Sequence, residues 1–348
     1  MAESRDVNQL VLEYLMKQTI VSSKEIHSGI NEKVGYATVK RTLQSLISEG
    51  LICTTGNGKG TKYQLSPAYF VLAPMNMAVY FLKEIDERII RSDFNLNLID
   101  EVLKTTNLFT EKETEQLNEL QSIFRGNTLD LTVEAYNREF ERLAIDLSWK
   151  SSQIEGNTYS LLETEQLLRE KQTASGKTKD EATMLLNHKD ALDFILSNKD
   201  YVKPLTISRI EDLHSILIKE LNVGRNIRKR RVGISGTNYK PIDNEFQIRE
   251  ALQAMCNVVN GKSNIFEKAL LVLVLISYIQ PFEDGNKRTA RIISNAILMN
   301  EGYCPLSFRT VDSIEYKKAM LVFYEQNNIT PFKGIFMDQF EFAVKTYF

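Results

Sequence analysis

Apolar residues recur along most of this chain at helical intervals, and the places where the interval changes divide it. Between residues 6 and 17, Val7, Leu10, Val11, Tyr14 and Leu15 fall on one helical face; Ser22 or Ser23 can cap a short second helix through Ile26. Residues 36–49 predict a third helix with Val39, Leu43, Leu46 and Ile47 turned inward, ended by Gly50. The period then drops to two, and 51–55 and 61–65 alternate as strands around the turn Gly56-Asn-Gly-Lys-Gly60. Helical spacing returns at 80–90 and 98–103, followed by a charged run at 111–119. A long helix is predicted over 133–153, packing through Phe140, Leu143, Ala144, Leu147 and Trp149, and Ser160 with Glu163 forms a capping box that opens the next. Further helical repeats occupy 183–196 and 206–221. Residues 269–279 are almost wholly apolar and too short to span a bilayer, so they read as a core helix. Pro281 and Gly285 break it, a new helix runs from Asn286 to about Met299, and beyond Gly302 and Pro305 two last helices cover 312–326 and 331–348. The pattern predicts a mainly α chain.

Composition refines this only slightly. With 348 residues and 43% hydrophobic content the chain can bury a substantial core, and the pattern divides it at 1–70, 71–130 (a helical connecting region) and 131–348. A net charge of −2 excludes a globally basic nucleic-acid coat. Even residues 1–70 carry eight Lys/Arg against six Asp/Glu, a net of +2, so any DNA contact would depend on one local face. Cys53, Cys256 and Cys304 are scattered without pairing or metal spacing, as suits a reducing compartment. There is no apolar signal core and no run of spanning length; the expectation is a cytoplasmic protein without a membrane partner.

The chemistry concentrates in Gln280-Pro-Phe-Glu-Asp-Gly-Asn-Lys-Arg-Thr-Ala-Arg291, a loop between two helices. The turn opening the second helix, Asn286, Lys287, Arg288, Thr289 and Ala290, offers unpaired backbone N–H groups and the positive end of a helix dipole. Arg288 and Arg291, three residues apart, share a face there. The combination is a phosphate cradle, and Asp284 sets a carboxylate where a hard cation bridging phosphates would sit. A second stretch, Ser151-Ser-Gln-Ile-Glu-Gly-Asn157, ends the long helix, with Gly156 as a C-cap that points Glu155 off its end. Taken alone that pattern is weak. The basic segment 224–242 carries a Ser235-Gly236 turn and reads either as a nucleic-acid patch or as a hairpin.

The loop resembles the signature of Fic-domain proteins, His-Pro-Phe-x-(Asp/Glu)-Gly-Asn-(Gly/Lys)-Arg-x-x-Arg, in every element but the first. The family's histidine, its general base, is Gln280 here; an amide cannot take that proton, a loss of roughly a hundred- to ten-thousand-fold in rate. The resemblance covers about 130–345 and implies an all-helical Fic core with a β-hairpin flap, binding ATP with magnesium and transferring AMP to a Ser, Thr or Tyr hydroxyl of a protein substrate. It implies Asp284 for the metal, Gly285 and Asn286 for the α- and β-phosphates, and Arg288 and Arg291 for the outer ones. Lys287 is also found in the Doc-type branch, which transfers phosphate. Ser151, Glu155 and Gly156 match the (Ser/Thr)-x-x-x-Glu-(Gly/Asn) pattern of the inhibitory helix, here about 133–157, which implies that Glu155 pairs with Arg291 and competes with the γ-phosphate. The segment 224–242 is similar to the flap, with Val232 to Ser235 as its first strand, Ile234, Ser235, Gly236 and Thr237 over the nucleotide, and Arg228 to Arg231 screening the anionic site. Flaps of this family register an extended target by strand addition. Tyr316 and Tyr324 fall where the family lines its adenine pocket. His188 and His214 lie outside the loop and are not expected to replace the missing base.

Three helices followed by a glycine-tipped hairpin resemble a winged helix-turn-helix. That implies Tyr36, Thr38, Lys40, Arg41 and Gln44 as the exposed face of a recognition helix, with Lys59 and Lys62 on the wing against phosphate. Winged helices also bind partner proteins or form homodimers. Two functions follow: an autoinhibited protein adenylyltransferase disarmed at position 280, or a nucleotide-responsive DNA-binding regulator that transfers nothing.

Overall fold

The computed structural model describes residues 6–30 and 34–348, with the side chain of Lys59 outside that description. At the N-terminus α1 (Val7–Lys17), α2 (Ser23–Gly29) and α3 (Tyr36–Ser48) enclose Val11, Leu15, Ile26, Val39, Leu43 and Leu46, all buried. Ser22 and Glu25 close a capping box on α2. The two strands expected from alternation are β2 (Ile52–Thr55) and β3 (Lys62–Leu65), and a third, β1 (Val21–Ser22), joins them in an antiparallel sheet of order β1-β3-β2. Two residues are too few to leave an alternating pattern, so β1 has no sequence signal.

Residues 80–90 do not form the predicted helix. After the short α4 (Tyr69–Leu72) and α5 (Met77–Tyr80) there is only a single turn at Ile85–Glu87, with Leu82 and Ile89 80% and 82% exposed. Leu82 and Ile89 find no surface to cover, Ile90 packs against the core, and Arg88 turns inward. A wide helical turn follows at Leu98–Leu103, and the charged run becomes α6 (Glu111–Leu129), capped by Thr110 and Glu113.

The remainder is helical: α7 (Val133–Ile154), α8 (Leu161–Glu170), α9 (Lys179–Ser197), α10 (Ile207–Leu217), α11 (Glu245–Gly261), α12 (Ile265–Ile279), α13 (Asn286–Asn300), α14 (Ser313–Gln326) and α15 (Thr330–Tyr347). Helix α12 is apolar on every side, so it cannot lie at a surface; it is buried from Ala269 to Ile279 and packs against α11, α13, α14 and α15. This places the loop at its C-terminal end on a frame that cannot easily shift.

The segment 224–242 departs from expectation. The turn at Ser235-Gly236 is present, with Gly236 at φ +88°, but 232–239 form no strand pairs, and the segment's one bridge joins Lys240 to Asp93. Its carbonyls are satisfied by a side chain instead. Arg228, 2% exposed, donates to the carbonyls of Gln280 at 2.6 Å, of Arg230 at 2.8 Å and of Ile242. No helix among the described residues is long and apolar enough to cross a membrane.

Candidate active site

Helix α12 ends at Gln280 in the left-handed region (φ +51°), and α13 begins one residue after Gly285, also left-handed at φ +80°. Between them the chain reverses tightly around Asn286. The Asn286 amide accepts from the Phe282 N–H at 2.9 Å and donates to the Phe282 carbonyl at 2.8 Å and the Gln280 Oε1 at 2.9 Å. The side chain expected to hold phosphate is thus committed to holding the loop. Below it, His214 stacks on Phe282 with centroids 3.6 Å apart and places Nε2 3.0 Å from the Asp284 carbonyl. Burial pulls the His214 pKa down to about 4, against the partial support of the Asp284 and Arg225 carbonyls.

The backbone donors available to an anion are fewer than the sequence suggests. The Thr289 N–H already bonds the Gly285 carbonyl at 2.8 Å, and Ala290 lies one residue further into the helix, past the N–H groups that a helix start leaves free. The first three N–H groups, of Asn286, Lys287 and Arg288, precede any intrahelical partner.

Both arginines are buried and paired. Arg288 donates to the Asp284 Oδ2 at 2.8 Å, while Asp284 itself is 62% exposed. Arg291, fully buried, donates through Nε to the Ser151 hydroxyl at 2.8 Å and through Nη2 to the Ser151 carbonyl and the Glu155 Oε1, each at 2.9 Å. The second Glu155 oxygen meets the Lys287 Nζ at 3.1 Å. Glu155 is the C-cap of α7, and Gly156 at φ +103° turns the chain away, which leaves the carboxylate pointing across to α13. Burial alone would raise the Glu155 pKa; the Arg291 and Lys287 charges outweigh it and hold the group down at about 2. The pairing of Glu155 with Arg291 was implied by the resemblance; the second cation was not, because a lysine in the signature gives no hint of its partner.

Glu155 forms one side of a cleft of about 310 Å³ lined also by Ile154, Gly233, Ile234, Ser235, Gln280, Lys287, Lys317, Met320, Leu321 and Tyr324. Gly236 leans on α14, 3.4 Å separating an ideal Cβ from Leu321, whereas Thr237 lies beyond the lining. Tyr324 borders the cleft; Tyr316 does not, and sits wholly buried with its ring 5.4 Å from the Arg291 guanidinium carbon. The Tyr324 hydroxyl is buried beside Gln280 and Ser277, and burial pushes its pKa up. Lys317, Met320 and Leu321 escaped the sequence reading, although with Tyr324 their spacing of three, four and seven marks one helical face.

Gln280 is held on both sides, its Nε2 donating to the Ser277 carbonyl at 2.6 Å and its Oε1 accepting from Asn286. Neither other histidine of the core bonds to it. His188 is fully buried, 3.3 Å from the Ser148 hydroxyl, and burial with the nearby Arg291 and Arg288 charges keeps its pKa low. Arg228 to Arg231 do not screen the anions as expected: Arg228 is the buried strut of the flap, Lys229 pairs with Glu245, and Arg231 with Asp243.

In the N-terminal domain Tyr36, Thr38, Lys40, Arg41 and Gln44 are all exposed on α3, and Lys62 is exposed on β3. Lys59 falls in the turn at Gly58–Gly60, its side chain outside the described residues. A hollow of about 640 Å³ lies between these N-terminal elements and the core, lined by Leu51, Pro67, Thr110 and Lys333 among others, and contains none of the candidate site residues.

Residues 204–298 match the Fic/DOC family. The chain is 25% identical over 201 residues to the protein adenylyltransferase fic-1 of Caenorhabditis elegans, covering 56% of this chain and 39% of that protein. It is 29% identical over 173 residues to the protein adenylyltransferase Fic of Nematostella vectensis, covering 48% and 40%. The chain thus spans well under two thirds of these curated relatives. Its fold is shared with a solved Fic-1 structure from C. elegans (TM-score 0.60, 22% identity, 68% of this chain and 72% of that one). It is shared too with a Fic-domain signaling protein from Bacteroides thetaiotaomicron (TM-score 0.57, 21% identity, 66% and 94%). The Fic/DOC match is confined to residues 204–298, and the solved structures show that the helical fold is shared.

Proposed function

We propose that the chain is a Fic-type, ATP-binding protein of the adenylyltransferase kind, restrained at two points: Glu155 stands where the outer phosphates would bind, and Gln280 stands where the base is needed. The observation that carries this reading is the Glu155 carboxylate, 2.9 Å from Arg291 and 3.1 Å from Lys287 at the edge of the cleft. One guanidinium cannot serve a carboxylate and a phosphate fully at once. A triphosphate entering the cleft must either displace Glu155 or bind in a pose that leaves Arg291 unused. The Lys287 ammonium and the Tyr324 hydroxyl, both lining the cleft, are the donors such a ligand would meet first.

For AMP transfer a target hydroxyl attacks the α-phosphorus, pyrophosphate leaves, and the hydroxyl proton must go to a base. Gln280 offers none, and its amide is already spent on Ser277 and Asn286. A divalent cation fits the acidic side of the loop, where Asp284 presents an exposed carboxylate; as in other sites with one or two carboxylates, substrate phosphates and waters would supply the rest. Bound there, magnesium would offset phosphate charge. The residues of this chain do the remainder: Arg288 and Arg291 orient the outer phosphates, the first N–H groups of α13 hold the inner ones, and the segment 233–236 covers the cleft.

Incubation with ATP labelled at the α-phosphate tests this. The chain as it stands should take no label, Gln280→His little, and Gln280→His with Glu155→Gly should label itself. Full labelling of the unaltered chain contradicts the reading.

A second reading is favoured by the exposed row Tyr36, Thr38, Lys40, Arg41 and Gln44 on α3: a winged-helix DNA-binding regulator that responds to nucleotide. It requires the full chain to bind duplex DNA at moderate salt and ATP to change that affinity; no binding by anisotropy removes it.

A further inference from the structure

Two walls of the cleft share no strand ladder. One is the segment 233–235, which leads directly into the turn at Gly236, and the other is the face of α14 carrying Lys317, Met320, Leu321 and Tyr324. Something must fix the distance between them, and the side chain placed to do so comes from outside the matched domain. Arg88 donates through Nη2 to the Gly236 carbonyl at 2.8 Å, and its Nη1 lies 3.2 Å from the Glu325 Oε1 on α14. Both side chains are buried, 4% and 0% exposed. The other Glu325 oxygen accepts from the Tyr80 hydroxyl at 2.5 Å, and its backbone carbonyl accepts from the Arg91 N–H at 2.9 Å. The rings of Phe81 and Tyr80 lie 5.2 and 5.8 Å from the guanidinium carbon and help shield it from water. Around this point the same segment follows the return of the flap: Asn238 donates to Asp86 at 3.2 Å, and the Lys240 N–H to the Ser92 carbonyl at 2.8 Å.

We propose that Arg88 is a positioning residue that staples the flap turn to α14 and so sets the width of the cleft, making nucleotide affinity depend on the segment that leads from the N-terminal domain. A guanidinium suits the task because its planar fork reaches two acceptors in fixed directions, which one ammonium does not. The effect on affinity rests on the reading of this cleft as the nucleotide site; the effect on the flap does not.

The test uses the full chain. Arg88→Ala alone leaves the Glu325 carboxylate buried and unpaired, with the risk of unfolding. The informative variant is therefore Arg88→Met with Glu325→Gln, which removes both charges and keeps the volume; Glu325→Gln alone retains the Gly236 contact. Hydrogen exchange read on peptides covering 232–241, which include the Lys240 amide, should quicken about tenfold or more in the double variant, in line with loss of one charge-assisted bond, while 265–279 stays protected. In Glu325→Gln alone the flap should stay within about threefold of the original. Unchanged flap exchange in a folded double variant overturns the staple. Calorimetry with ATP and magnesium supplies the second arm, with affinity in the double variant expected to fall about tenfold. Equal affinities overturn the effect on binding. Absence of ATP binding by the unaltered chain overturns the nucleotide reading and that effect with it, while flap exchange still decides the staple.

Discussion

The two sides of the cleft are built on opposite principles. The loop between α12 and α13 is fixed by helices on both flanks, by two left-handed residues and by an asparagine that closes it on itself, all within a dozen residues of sequence. The flap has no ladder, and side chains hold it: Arg228 ties its base to Gln280 and Ile242, Arg88 ties its tip to α14, and the Tyr239 hydroxyl donates to the Tyr278 carbonyl. A wall made of local interactions stays put when a ligand arrives. A wall hung on a few side-chain contacts can be moved by whatever moves those side chains. The contrast places the fixed charges on the rigid side and the adjustable contacts on the other.

The strongest way to sharpen this contrast is on the rigid side. Gln280→His with Glu155→Gly should raise AMP transfer by about a hundred- to ten-thousand-fold over the unaltered chain, measured as labelled protein, because only a base and an unblocked Arg291 are lacking while the frame stays as it is. On the flap side, Arg228→Met leaves the carbonyls of Gln280, Arg230 and Ile242 without their donor. At about 1–3 kcal/mol for each orphaned group, the loss should approach 3–5 kcal/mol in chemical unfolding, since the site is only partly reached by water. A loss under about 1 kcal/mol breaks the claim that this wall hangs on the arginine.

Acid unfolding is the next test. The folded Glu155 pKa of about 2 lies below the value of 4.5 for a free side chain, so its stabilisation is complete above 4.5 and is lost as pH falls through about 2. The term is on the order of 3 kcal/mol, and Glu155→Gln should flatten the stability curve across that window. His214, at about 4 against 6.5, acts in a separate window, its term full above 6.5 and lost as pH falls towards 4. The smallest effect is expected from Gly285→Ala. The backbone at φ +80° costs a side chain about 1–2 kcal/mol, and the Cβ would touch Ile218 at 3.4 Å and His214 at 3.5 Å, so thermal stability should fall without unfolding.

What could be read from the sequence follows the same divide. Helices α7, α9 and α12 to α15 announce themselves because their apolar faces repeat and their caps are local, as Ser160 with Glu163 shows for α8. The signature loop was legible as an anion site for the same reason. The flap differs from the paired hairpin the resemblance implies because side chains hold it, Arg228 at its base and Arg88 from 148 positions away at Gly236, and the alternation of residues does not show such contacts. Residues 80–90 were read as helical from spacing alone, although Arg88 breaks that pattern by burying against Glu325, 237 positions along the chain if counted from one to the other. Lys287 looked like a phosphate ligand, yet in the structure its partner is Glu155, which only the fold brings within reach. Long-range polar pairs leave no periodic trace.

The central claim is that this cleft grips a triphosphate and that Glu155 contends for the same cations. Calorimetry of ATP with magnesium, on the unaltered chain and on Glu155→Gly, addresses it directly. The account predicts measurable binding by the first and affinity at least about tenfold higher in the second, since Arg291 and Lys287 are then free for phosphate. Equal affinities, or no heat from either protein, contradict it.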